Sequence, residues 1–260
     1  MDAADWLGLA DKTAAVTGAG GGIGRATAMM LARLGVRTAL LDRDPATLAE
    51  TEALVRPIAE ARAIICDTSD EASVRAAADT AGPVDILVNN AGILRAGPLA
   101  TLKLEEWNRL MAVNLTGYFL CAQALGQAML ARGSGAIVHI ASIASRFPQA
   151  SSGAYSVSKI GVVMLSQQLA LEWGPSGVRS NVVSPGLVRT PMSEAFYRAD
   201  GVAERRAQAV PMRRVATPED IAEVVVYLAS ARAGYVNGED ICADGAFGRT
   251  LMSTVPRPGF

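Results

Sequence analysis

Short apolar runs alternate along this chain with longer stretches in which apolar residues recur at the spacing of a helix face. TAAVTG, VRTALLD, ARAIICD, VDILVNNAG, GAIVHIAS, VRSNVVSPG and EDICADG predict seven strands. Between them the pattern predicts helices over 25–34, closed by Gly35 as a left-handed cap, over 45–55 and 71–80, over a long stretch of about 104–131, and over about 154–173. A last helix starts at Thr217, where Thr-Pro-Glu-Asp supplies an N-cap, a proline at the first helical position and acids in the first turn. This alternation is what a parallel sheet covered by helices produces. The segment 187–216 is too long for an ordinary connection, and segments leaving the carboxyl ends of parallel strands border the ligand crevice, so it is expected to be a substrate lid. With no repeat and no low-complexity linker, one domain over 1–260 is expected, with a C-terminal tail over about 248–260.

Composition narrows the function. A chain of 260 residues lies within the range that α/β proteins occupy as one folded unit. Half the residues are apolar and the formal charge is −1, which favours neither disorder nor nucleic-acid binding and leaves a small molecule as the expected ligand. Apolar stretches such as 137–143 are too short to span a bilayer, and MDAADWLGLADK lacks the basic-then-apolar order of a signal peptide. A cytoplasmic protein that does not enter membranes is expected. Cys66, Cys121 and Cys242 have no metal-ligand spacing and are expected to be small buried apolar residues. The single histidine, His139, lies in the apolar run AIVHIAS and is expected in the core, so neither a zinc site nor a Ser-His-Asp triad is supported.

Positive candidates begin at the first strand, which runs into TGAGGGIG at Thr17 to Gly24. Gly18, Gly22 and Gly24, with Ile23 between the last two, permit backbone angles barred to other residues. They let a pyrophosphate approach the main chain and let the helix start close to the sheet, its N-terminus facing the anion. The second strand ends at Asp42, positioned to accept hydrogen bonds from adenosine ribose hydroxyls and to repel the extra phosphate of NADP. At about 4 Å and an effective dielectric of 20 that repulsion is roughly 4 kcal/mol. NAD is therefore expected over NADP, with Arg43 a neighbour that could partly offset the acid.

Tyr155 and Lys159 stand four apart, on one face if 154–173 is helical. A free tyrosine has a pKa near 10, and bringing it close to neutrality takes roughly 4 kcal/mol, the order of one ammonium about 4 Å away. Ser142 stands thirteen residues earlier.

Together these motifs resemble the short-chain dehydrogenase/reductase family in its single-domain form. TGAGGGIG is similar to the family's TGxxxGxG, NNAG at Asn89 to Gly92 to its NNAG, YSVSK to its YxxxK, and PGLVRT at Pro185 to Thr190 to its PGxVxT, over about 9–245. The resemblance implies a Rossmann-type doubly wound fold and interconversion of a secondary alcohol and a ketone. It implies Tyr155 as proton donor and acceptor, Lys159 lowering its pKa and binding the nicotinamide ribose, Ser142 on the substrate oxygen, and Asn114 holding a relay water. It also implies Asp67 and Thr68 beside the adenine, Asn90 on the adenosine ribose side, and Val188 with Thr190 at the carboxamide. A homotetramer or homodimer is implied, formed through the helices at 104–131 and 154–173.

Two departures from the family are Ala246-Phe247 where a second glycine is usual, and Ser180 in the sixth strand; neither is expected to touch the chemistry. Around the substrate the sequence places Arg95, Ile143, Ala144, Arg146, Phe147 and Gln149, and beyond them Gly186, Met192 and Phe196, with the two arginines as candidates to recognise an anionic or hydroxyl-rich compound. A sugar, polyol or hydroxy ketone is expected. The alternatives are a 3-oxoacyl-carrier-protein reductase, against which Asp42 speaks, an extended-branch epimerase, for which the chain leaves no substrate domain, and a non-catalytic dinucleotide-binding regulator, which should have lost one of Ser142, Tyr155 and Lys159.

Overall fold

A computed structural model describes residues 5–255; residues 1–4 and the last five positions of the expected tail lie outside the described residues. Seven strands form one parallel sheet: β1 (Thr13–Thr17), β2 (Arg37–Asp42), β3 (Ala61–Ile65), β4 (Ile86–Asn89), β5 (Gly135–Ile140), β6 (Val178–Pro185) and β7 (Asp240–Ala243). Their order is β3-β2-β1-β4-β5-β6-β7. The chain thus winds outward from β1 in one direction, returns, and winds outward from β4 in the other. Between β1 and β4 the connections leave to opposite sides and open a crevice at the carboxyl edge, the site geometry of doubly wound sheets.

Helices cover both faces: α1 (Gly22–Arg33), α2 (Pro45–Val55), α3 (Glu71–Ala81), α4 (Leu104–Met111), α5 (Gly117–Arg132), α6 (Tyr155–Trp173), α7 (Val202–Ala209) and α8 (Pro218–Ala229). Because both faces are covered, strand residues on either side of the pleat are buried. In β1, Ala14 and Val16 join the core packed by α1 and α8, while Ala15 joins the core packed by α3 and α5. Thr217 caps α8 and Asp220 returns the bond to the Thr217 N–H, the reciprocal pair read from Thr-Pro-Glu-Asp.

The long helix expected over 104–131 is interrupted. Between α4 and α5, Ala112–Thr116 forms a π turn, which seats the buried Asn114 inside it. Gly117 follows where the helix meets the loop after β3: a Cβ there would lie 2.7 Å from the Thr68 carbonyl oxygen. The connection 187–216 is folded, with a one-turn helix at Glu194–Tyr197, then α7, and its ends tied by a bridge between Val188 and Ala216. Ser180 forms a buried pair with Ser166, hydroxyl to hydroxyl at 2.8 Å, which explains a polar residue in a central strand. Cys66 and Cys121 are buried as expected, but Cys242 on edge strand β7 is only half-buried. No described helix is long and apolar enough to cross a membrane.

Candidate active site

Two adjoining cavities occupy the crevice, one of about 840 Å³ and one of about 320 Å³. Gly18, Gly21 and Asp42 border both. At their junction Gly18 (φ 65°) and Gly22 (φ 54°) hold left-handed backbone, which no other residue adopts as freely. Gly24 lines neither cavity; a Cβ there would overlap the Gly18 carbonyl oxygen, so its absence lets α1 start against the strand. Side chains of Asp44, Asp70 and Thr217 cap α2, α3 and α8, whereas α1 begins at Gly21 with no side-chain cap. Gly21, Gly22 and Ile23 line the larger cavity, so the start of α1 borders it with its positive dipole end unmet by a side-chain cap, and Gly21 leaves nothing closer than 3.9 Å to a would-be Cβ. A pyrophosphate fits this cradle.

Asp42 closes one side. Its Oδ2 accepts from the Gly20 N–H at 2.9 Å and its Oδ1 from the Asp44 N–H at 3.1 Å, fixing the carboxylate at the cavity wall. The smaller cavity carries Asp67 and Thr68 on the same wall as Arg43 and Cys66. Asp67 accepts from the Ser69 N–H and hydroxyl at 2.9 and 2.6 Å, which hold its carboxyl below the usual range. Asn90 donates to the Thr17 and Gly18 carbonyls at 3.0 and 3.1 Å, so it locks the end of β4 to the glycine turn while lining the larger cavity.

Ser142, Tyr155 and Lys159 come together on the larger cavity, from the end of β5 and the first turn and a half of α6. Lys159 is 4% exposed, and its ammonium donates to the Ile140 carbonyl at 2.9 Å and the Tyr118 hydroxyl at 3.3 Å. Tyr118, stacked on His139, donates to the same Ile140 carbonyl at 2.9 Å. Asn114 accepts from the Ile93 N–H at 2.8 Å and donates to the Ile93 carbonyl at 2.9 Å and the Ser158 hydroxyl at 3.3 Å. Its side chain thus pins the loop following NNAG to α6. Gly92 lies beside both polar heads: a Cβ there would be 3.5 Å from Asn114 Oδ1 and 3.7 Å from Lys159 Nζ, within ordinary contact distance.

The electrostatics differ from the simple expectation. Burial pushes the Tyr155 phenol above its ordinary pKa, with a hydrogen bond to Ser142 pulling the other way. Burial also takes Lys159 down to about 7. The ammonium lies 5.8 Å from the Tyr155 ring centroid, so the two groups are neighbours along the cavity wall. Lysine alone does not make this phenol acidic, because the site desolvates both groups.

Known proteins match this geometry. The family model described as enoyl-(acyl carrier protein) reductase matches residues 18–247. D-threitol dehydrogenase of Mycolicibacterium smegmatis is 41% identical over 248 residues, 92% of this chain and 94% of its own. The chain belongs to the short-chain dehydrogenase/reductase family. Galactitol 2-dehydrogenase (L-tagatose-forming) of Cereibacter sphaeroides is 38% identical, with 95% of this chain and 99% of that one covered. A solved structure described as an NAD(P)-dependent gluconate 5-dehydrogenase from Beutenbergia cavernae, with bound NADP at low occupancy, superposes with a TM-score of 0.89 at 37% identity over 94% of this chain and 99% of that one. As a member, this dehydrogenase/reductase is an alcohol oxidoreductase, and the family binds a nicotinamide dinucleotide.

Of the expected substrate-side residues, Ile143, Ala144, Phe147, Gln149, Met192 and Phe196 line the larger cavity, as do Gly186 and, nearer the glycine turn, Ile23, Val188 and Thr190. Arg95 and Arg146 do not. Arg146 donates to the Asp240 carboxylate and carbonyl at 2.9 and 2.6 Å, which fastens the loop after β5 to β7, and Arg95 lies 4.0 Å from Glu106. Among the described residues the arginines that line the cavity are instead Arg205 and Arg206 of α7. Phe247 also lines it, so the Ala246-Phe247 departure does reach the site; Ala246 holds left-handed backbone (φ 68°) in turning the chain there. Tyr118 and Arg206 gave no sign in sequence, because only the fold sets the Tyr118 hydroxyl beside Lys159 and turns Arg206 onto the rings of Phe196 and Tyr197.

Proposed function

We propose that the protein is an NAD-dependent dehydrogenase that interconverts a secondary alcohol, a sugar, polyol or hydroxy compound, and the corresponding ketone, with Tyr155 as general acid and base. The observation that carries this reading is the convergence of Ser142, Tyr155 and Lys159 on one cavity that continues to the glycine cradle and Asp42. Bound there, a nicotinamide dinucleotide supplies or accepts the hydride, and in its oxidised form adds a positive charge beside the phenol. Gly18, Gly22, Ile23 and the open end of α1 hold the pyrophosphate; Asp42 and Asn90 hold the adenosine ribose; Asp67 and Thr68 border the adenine; Val188 and Thr190 hold the carboxamide. Gly24 contributes by letting helix and strand close up.

In the oxidising direction Tyr155 takes the hydroxyl proton of the alcohol, and in the reducing direction it returns it to the carbonyl oxygen. Ser142 donates to that oxygen as charge develops on it. Lys159, held by Ile140 and Tyr118, stabilises the phenolate and binds the nicotinamide ribose. Asn114 orders the loop at Ile93 and holds the relay water. Asp42 selects NAD, its fixed carboxylate repelling the ribose phosphate of NADP. Exposed apolar side chains on the outer faces of α5 and α6, Phe119, Ile160, Met164 and Leu171 among them, support assembly into a homotetramer or homodimer.

The test is reduction of NAD, followed by the absorbance of the reduced cofactor, across a panel of secondary alcohols, polyols and sugars. Tyr155→Phe is expected to lower turnover by about 10² to 10⁴, the usual contribution of a positioned acid–base group. NADH affinity should stay within twofold. Retained turnover would end the acid–base role.

A further inference from the structure

The lid end of the larger cavity differs in charge from the rest of its wall. Among the described residues Asp42, at the glycine-turn end, is the one acid lining it, whereas α7 contributes Arg205 and Arg206. Arg205 is exposed and its guanidinium turns back to the Asp200 carbonyl at 3.4 Å. Arg206 is half-buried, its guanidinium carbon 5.3 Å from the Phe196 ring centroid and 4.8 Å from that of Tyr197. Two other arginines near the site, Arg189 and Arg146, have acid partners, Glu194 and Asp240. Among the described residues no carboxylate and no hydrogen-bond acceptor meets Arg206. Its rings steer the guanidinium plane by cation–π attraction while the N–H groups, which prefer oxygen acceptors in a planar fork, remain without protein partners.

A second observation at the same place is independent of the first. Tyr197 is 8% exposed and lines the cavity, yet its buried hydroxyl has no hydrogen-bond partner among the described residues. A phenol taken out of water with nothing to bond is costly, and native proteins leave few of them. The Arg206 guanidinium lies over the ring that carries this orphan hydroxyl, and the donors of the two residues are complementary to one ligand chemistry, an oxyanion that accepts two or more hydrogen bonds.

We infer that Arg206 and Tyr197 form an oxyanion subsite in the lid, and that the preferred substrate is a polyhydroxy compound carrying a carboxylate or phosphate at the end away from the reacting carbon. This deepens the proposed alcohol dehydrogenase reading and rests on it. Arg95 and Arg146 do not serve, because both are already paired and neither lines the cavity. The competing source of an oxyanion is the dinucleotide's own pyrophosphate.

The experiment compares a six-carbon alditol, its aldonate and its terminal phosphate ester as substrates with NAD, in the wild type and in Arg206→Ala, Arg206→Lys and Tyr197→Phe, with NADH titrations alongside. At least one anionic compound is expected to exceed the alditol in kcat/KM by tenfold or more, and the one preferred distinguishes carboxylate from phosphate. Arg206→Ala should lower that selectivity at least tenfold, chiefly through KM, Arg206→Lys should restore part of it, and Tyr197→Phe should lower it less. Equal losses on charged and neutral substrates would overturn the subsite, as would a weakened NADH affinity in Arg206→Ala, which would assign the arginine to the pyrophosphate. Calorimetric binding of the anionic compounds to the NADH complex needs no turnover: binding that Arg206→Ala abolishes supports the subsite even if none of the three is oxidised. Absent binding overturns it while leaving the Tyr155 reading to stand on the alditol.

Discussion

The two ends of the crevice are built from different materials. At the dinucleotide end the wall is mostly main chain: left-handed Gly18 and Gly22, the uncapped start of α1, and an Asp42 carboxylate pinned by two backbone N–H groups. At the lid end the wall is side chain, with Phe147 from the loop after β5, Phe196, Tyr197 and Arg206 from 187–216, and Phe247 from beyond β7. Main-chain walls recognise what every ligand of the fold shares, a pyrophosphate and a ribose, and tolerate few replacements. Side-chain walls can be changed one residue at a time without disturbing the sheet, which is why fold alone does not fix substrate.

Asp42 tests whether the fixed end truly discriminates. Asp42→Ala should lower the ratio of NADPH to NADH dissociation constants by tenfold or more. The Coulomb contribution of roughly 4 kcal/mol at 4 Å is an upper bound, because part of it is screened by solvent. Fluorescence titration of both reduced cofactors reads it directly. An unchanged ratio would remove Asp42 from the selection and turn attention to Arg43, which lines the smaller cavity beside it.

Two glycines in one turn sharpen the same contrast. A Cβ at Gly24 would overlap the Gly18 carbonyl, so Gly24→Ala forces helix and strand apart and should cost about 1–3 kcal/mol of stability. For a chain of this size that lowers the Tm by roughly 2–4 °C per kcal/mol. Gly21 is extended (φ −173°) with open space at its Cβ, so Gly21→Ala should leave the Tm within a degree or so and weaken NADH binding, because its methyl enters the cradle. Thermal melts and cofactor titrations of the pair separate a packing glycine from a binding one. Similar melts for both would contradict the division.

What was legible in sequence follows the same line. The strands and the glycine turn show because each is a local pattern with a local physical cause. Tyr155 and Lys159 show because four residues on a helix are neighbours. The π turn at Ala112–Thr116 does not show, since an extra residue in a helical turn leaves the apolar pattern readable as one helix. Arg146 was misplaced because its partner, Asp240, is 94 residues away, and Arg206 escaped notice because nothing in AERRAQA announces which arginine will be walled by aromatic rings and which will point to solvent. Ala246 stands where glycine is the easier residue, at a cost of about 1–2 kcal/mol for left-handed backbone. That departure reads as neutral in sequence, and only the fold shows it turning Phe247 into the cavity.

The smallest expected effect concerns the floor between the two ends. Asn89 Nδ2 donates to the Tyr118 carbonyl at 3.0 Å and lies 3.3 Å from His139 Nδ1, so it meets the imidazole as a donor and Nδ1 must accept. The proton then sits on Nε2, which is buried without a partner. Burial first, and the nearby Lys159 ammonium second, push His139 from 6.5 to about 3. Its folded pKa is depressed, so its contribution to stability is complete above 6.5 and is lost as pH falls toward 3, where the unfolded chain binds a proton that the folded one refuses. The loss between pH 6.5 and 5 is roughly 1.5 kcal/mol. Lys159, depressed to about 7 from 10.5, costs stability as pH falls from 10.5 to 7 and changes little below that, and the carboxyl of Asp220, held at about 2 by Arg214, loses its contribution mainly below pH 4, so neither dominates this window. Urea denaturation midpoints should therefore fall from pH 6.5 to 5 in the wild type and fall by less than half as much in His139→Asn. The smaller side chain lowers stability at every pH, so the difference between the two pH values is the quantity that decides. Equal slopes in the two proteins would mean that the imidazole takes its proton without unfolding the floor on which Tyr118 and Lys159 stand.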